Sequence, residues 1–162
     1  MSAFVKVLQD FGLLFARIAF GGILVHHGVI RWLNGVDAHA AYLTQFATPY
    51  PEIVAWTTVG IEVVGGLMLV FGFLTPLAAA AAAALQGVTI AYTNWYRGFD
   101  LVTADGTYNG GWEYTAALAA LALLFAVFGA GRISVDQAFR KRKPEPEDAP
   151  ATATRREATL AA

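Results

Sequence analysis

Apolar residues crowd into four blocks along the chain: FGLLFARIAFGGILVHHGVIRW (11–32), IVAWTTVGIEVVGGLMLVFGFL (53–74), LAAAAAAALQGVTIAYTNWY (77–96) and WEYTAALAALALLFAVFG (112–129). Each is close to the roughly 20 residues that a helix needs to cross a hydrocarbon core of about 30 Å. Four such blocks in 162 residues would leave a soluble bundle with almost no polar face. The pattern therefore predicts an all-α fold, a four-transmembrane-helix bundle with short loops. Blocks two and three meet at Thr75–Pro76, where Pro76 suits the first turn of a new helix and implies a tight hairpin. Ala38-His39-Ala40 superficially resembles a signal-peptidase site. The apolar region before it is too long, contains Arg17 and follows Lys6 and Asp10, so block one is expected to remain as an uncleaved first span.

The last residues, KPEPEDAPATATRREATLAA, are rich in Pro, Ala, Thr and mixed charge. Such a segment buries too little apolar surface to offset its ordering entropy. The chain thus divides into a membrane domain, 1–143, and a tail, 144–162, expected to be disordered. Positive charge sets orientation. Lys6, Arg132 and the run Arg140 to Lys143 sit at the two ends, whereas residues 33–52 carry only Asp37 and Glu52 as charges. Both termini are therefore expected to be cytoplasmic.

The polar residues inside the blocks are the candidates for chemistry, because an unpaired charge in hydrocarbon costs at least a few kcal/mol. At 100° per residue, Arg17, Gly21, Leu24, Gly28 and Arg31 share one face of the first helix. His27 lies one step round and His26 points nearly opposite to Arg17. Glu62 shares a face with Thr58, Gly65, Gly66 and Leu69; Gln86 aligns with Ala79, Ala82 and Thr93; Glu113 stands above Ala117 and Ala120. Small residues beside a polar group let helices approach closely. Arg17, His27, Arg31, Glu62, Gln86 and Glu113 are expected to form an intramembrane polar cluster, densest in the outer half, with an Arg17–Glu62 ion pair within reach of long side chains. His26, Trp32 and Trp112 are candidates to line a ligand slot. The competing readings are a packing histidine at 26, an interfacial belt for the tryptophans and headgroup snorkelling for Arg31.

Composition narrows the chemistry. The chain is 57% hydrophobic and 14% charged, against about 25% charged in ordinary soluble domains. A net charge of −1 provides no basic field for nucleic acid. With no cysteine, disulfides, thiolate metal sites and a thiol relay on its own side chains are excluded. Haem is poorly served, since neighbouring residues on one helix cannot supply both axial ligands and the third histidine, His39, falls in the first loop. No metal site and no covalently bound cofactor are expected.

Several strings carry a family resemblance: Arg17-x-x-x-Gly21, HHG (26–28), GIEVVGGLMLVFGFLTPLAA (60–79), GGWEY (110–114) and GAGRISVD (129–136). The chain resembles the DoxX family of small bacterial four-helix membrane proteins over about residues 12–139. Arg17, Gly28, Glu62, Gly66, Gly72, Thr75, Glu113, Gly131 and Ser134 match the family pattern. Many members carry a histidine shortly before the Gly-Phe that precedes the third loop. TNWYRGF (93–99) has none, so the resemblance gives no metal or haem site there. It implies association with redox systems, since members resemble the small subunit of a thiosulfate:quinone oxidoreductase. On that footing the expected function is an accessory integral-membrane subunit of a redox complex that interacts with quinone. A membrane scaffold recruiting partner proteins, and a small proton-coupled carrier, are the alternatives. The expected partners are the lipid bilayer, other subunits of such a complex and further copies of the chain.

Overall fold

The structure, a computed structural model, describes residues 3–140. The tail from 144 and the basic residues Lys141 to Lys143 lie outside the described residues. Among the described residues six helical segments follow one another: α1 (Ala3–Leu33), α2 (Val36–Thr44), α3 (Pro51–Phe71), α4 (Thr75–Arg97), α5 (Glu113–Phe128) and α6 (Val135–Arg140). Among the described residues, α1, α3 and α4 are long and apolar enough to cross a membrane, and α5 is a shorter apolar helix. The only bridge between extended residues among those described joins Val102 and Tyr108 in the loop before α5.

The ends of these helices follow local chemistry. Tyr50 and Leu74 take left-handed backbone angles immediately before α3 and α4, and Pro51 and Pro76 occupy the first turns, where a missing N–H costs nothing. Gly72, at φ 69°, ends α3. Its N–H donates to Leu69 O and that of Phe73 donates to Met68 O, which uses carbonyls that α3 would otherwise leave bare.

The bundle has two ends. Leu33, Pro51, Arg97 and Glu113 mark the upper one; Phe71, Thr75 and Phe128 mark the lower. Phe20 and Leu24 of α1 pack with Leu69 of α3, Ala78, Ala79 and Ala82 of α4, and Leu118, Ala122 and Phe125 of α5 to form the central core. Alanine on α4 lets α5 come close, and the broadest contact in the bundle is that of α1 with α3. A second apolar cluster seats α2 on α3 through Val36, Ala40, Leu43, Ala55 and Val59. Outward positions such as Phe15, Leu77 and Val127 are largely exposed, and the apolar solvent of a bilayer suits them.

Two departures from the sequence reading stand out. Residues 33–52, read as a long first loop, contain α2. The helix that carries the first span, expected over 11–32, begins at Ala3: helical backbone continues below the apolar block because hydropathy marks hydrocarbon depth and not helical backbone. There Asp10 pairs with Arg132 at 3.6 Å.

The lower end is tied by one arginine and one aspartate. Arg17, 2% exposed, donates from Nη1 to Ala130 O (2.7 Å) and from Nη2 to Ile133 O (2.9 Å). A Cβ on Gly72 would stand 2.6 Å from Arg17 Nη1, so only glycine admits the guanidinium there. Asp136 accepts from Leu74 N (2.7 Å) and Thr75 N (3.0 Å), capping α4, while its own N–H donates to Gly72 O. Residues of α1, α3, α4 and α6 and the segment after α5 thereby meet in one clasp.

Candidate functional site

At the upper end, α1, α3, α4 and α5 diverge around a cavity of about 220 Å³, with α2 and Tyr108 of the long loop over it. Its polar wall comes from His27 and Arg31 of α1, His39 and Tyr42 of α2, Thr58 and Glu62 of α3, Gln86 and Thr93 of α4, and Tyr114 and Thr115 of α5. In two places the wall helices widen by a π turn, Ile61–Gly65 around Glu62 and Ile90–Asn94 around Thr93. Such turns recur at functional sites, because the extra residue re-aims side chains at the cost of ideal backbone bonding.

The charged centre is a hydrogen-bonded ion pair between Arg31 and Glu62 Oε1. Glu62 is 6% exposed, and its Oε2 is buried without a partner; Thr48 Oγ1, on the same wall, is likewise unpaired. Thr89 and Thr93 bond back to their own helix, at Leu85 O (2.9 Å) and Thr89 O (2.6 Å). Asn94 Nδ2 donates to Thr115 Oγ1 at 3.2 Å, joining α4 to α5. His39 lies outside the spans; burial first, and then the Arg31 charge, push its pKa down to about 4, so it is neutral at pH 7.

Of the residues expected to cluster, His27, Arg31, Glu62 and Gln86 do line one cavity. Arg17 does not belong with them. The Arg17–Glu62 pair is replaced by Arg31–Glu62, for a steric reason: a Cβ on Gly28 would be 2.8 Å from Glu62 Cβ. Glu62 is therefore level with Gly28, one turn from Arg31 and three from Arg17. Glu113 also stands apart, holding the long loop by accepting from Leu101 N at 2.9 Å. Trp112 stacks on Trp95 (5.9 Å) and Trp32 meets Trp56 edge-on (6.3 Å), so both belong to aromatic pairs rather than to the cavity wall. His26 packs edge-on against His27 and is also absent from that wall.

Sequence reasoning missed His39, Tyr42, Thr48, Tyr92, Tyr108, Tyr114 and Thr115. A signal existed for His39. Val36, His39, Ala40 and Leu43 follow the i, i+3, i+4, i+7 spacing of one helical face, and three of the four are buried. Among the described residues, no three His, Asp or Glu side chains come together as one metal site.

A helical bundle with lipid-compatible outer faces and a polar cavity near one end defines a small integral membrane protein, which sits in a bilayer. The sequence match agrees: the DoxX family model covers residues 12–95, just over half of the chain. The protein belongs to the DoxX family. The match ends before GGWEY, which supplies the Glu113 contact to Leu101, and before GAGRISVD, which supplies Ala130, Ile133 and Asp136 of the clasp. Searches of curated proteins and of solved structures give no match.

Proposed function

We propose that this DoxX protein is an accessory subunit of a redox complex in the bacterial plasma membrane, and that its upper cavity receives a quinone headgroup. The observation that carries the reading is a ring-sized cavity with polar groups on its wall and half-exposed residues of a membrane-crossing helix among its lining. Val88 and Tyr92 of α4 line it and are 40% and 41% exposed. A headgroup can enter there and leave its isoprenoid tail among the lipid chains. Arg31, Gln86 and His27 supply hydrogen-bonding groups to ring oxygens, as a quinone site requires. Family membership supports the redox setting, since the resemblance implies it.

The test is extraction of the protein in mild detergent, with chromatography for bound quinone and for co-purifying oxidoreductase subunits. Quinone is expected with the wild type, and several-fold less with His27→Ala at equal yield. Wild-type protein without quinone or an oxidoreductase overturns the reading. A scaffold would keep its partner through His27→Ala and lose it on deletion of residues 144–162. A carrier would lose pH-dependent uptake in Glu62→Gln.

The orientation belongs to the same proposal, with the cavity opening outward and both termini cytoplasmic. The chain has no cysteine, so single cysteines can report position. Gln9→Cys and Ala41→Cys, at exposed sites on α1 and α2, are expected to react with an impermeant maleimide from opposite sides. Labelling of both from one side would sink the topology.

A further inference from the structure

We infer that the upper cavity is built for a phenolic ring that donates hydrogen bonds, so that it takes a hydroquinone in preference to the corresponding quinone. This rests on the quinone reading above and goes further, by naming the redox form.

The argument starts from what the wall still needs. Paired with a guanidinium, the Glu62 carboxylate is an acceptor only, with Oε1 taken by Arg31 and Oε2 unpartnered. The hydroxyls of Thr89 and Thr93 have given their protons to backbone carbonyls, leaving lone pairs. Thr48 Oγ1 has no partner at all. A ligand with O–H groups satisfies the Glu62, Thr89 and Thr93 oxygens, whereas the Thr48 hydroxyl both donates and accepts and does not discriminate. A quinone offers only carbonyl oxygens and would leave Glu62 Oε2 buried and unpaired, and a site built to bond a ligand hydroxyl strongly rejects the analogue lacking it.

Size, shape and charge agree. A cavity of about 150 Å³ holds a benzene molecule, so about 220 Å³ accommodates one substituted ring. Tyr42, Tyr92, Tyr108 and Tyr114 bring aromatic faces from α2, α4, the long loop and α5. The Arg31 and Glu62 charges offset one another, which favours a neutral guest over an ion.

The experiment titrates the full-length protein in detergent micelles, without oxygen, with a short-chain hydroquinone, its quinone and its dimethyl ether, read by calorimetry. The hydroquinone is expected to bind about tenfold or more tightly than either of the others. In Glu62→Gln an amide N–H replaces the acceptor, and the preference should shrink or reverse. Equal affinity, or tighter binding of the quinone, overturns this inference and leaves the quinone reading standing. Absence of binding by all three overturns both. A preference that survives in a folded Glu62→Gln protein overturns the assignment to Glu62. Should that variant fail to fold, the comparison with the dimethyl ether still decides whether the ligand must donate.

Discussion

Replacing Arg17 by alanine is expected to destabilise the bundle by several kcal/mol, more than any other single polar change. The side chain makes two charge-assisted hydrogen bonds, to Ala130 O and Ile133 O, from a site only 2% exposed. Each such bond contributes about 1.5–3 kcal/mol. Its removal also leaves those carbonyls bare and opens a void against Gly72. For a chain of this size the loss corresponds to a fall in melting temperature on the order of 10 °C, measurable by tryptophan fluorescence in detergent. Arg17→Lys should recover less than half, because a point-like ammonium does not reproduce a planar fork. Arg132→Ala is the control. Its pairing with Asp10 at 3.6 Å is made by a side chain 68% exposed and contributes little. An Arg17→Ala protein melting within about 2 °C of wild type would overturn the clasp as a source of stability.

Alanine at Gly21 or Gly66 is expected to separate α1 from α3. A Cβ at Gly21 would lie 2.6 Å from Gly66 O, and one at Gly66 would lie 2.9 Å from Gly21 O. Both obstacles are backbone, which cannot rotate aside as a side chain can. Overpacking of this kind costs about 1–3 kcal/mol and sometimes more, and here the helices must move apart along their length. At Gly22, Gly60 and Gly87 a Cβ would meet nothing within 4 Å, so alanine there should be neutral or slightly stabilising. Melting of all five variants provides the check. Equal loss at Gly22 and Gly21 would mean that α1 and α3 are not in contact through that face.

The same glycines show what the sequence could and could not say. Placing Arg17, Gly21, Gly28 and Arg31 on one stripe follows from helical periodicity alone, and α3 does lie along the glycine positions. Periodicity assigns a direction around the axis and no height relative to another helix. Height comes from the crossing, which puts Gly28 beside Glu62 and thereby selects Arg31 over Arg17 as its partner. Pro76 and the small-residue face of α4 were equally readable, because each acts within a turn or two of sequence. Residues 33–52 misled for a different reason. The buried face of α2 amounts to Val36, Ala40 and Leu43, too few positions to stand out from a loop, and His39 went with it. Glu113 likewise depends on a contact with Leu101, across a loop whose path no periodicity describes.

The clasp also bears on the order in which the chain can close. Arg17 emerges early in synthesis, and its acceptors lie 113 and 116 residues later. Until residues 130–133 have followed, the guanidinium has neither carbonyl to bond, and burying it in lipid alone is costly. The bundle therefore locks only when the segment after α5 is in place. A chain cut short before Ala130 retains an unsatisfied charge inside its first span, a mark by which unfinished copies differ physically from completed ones.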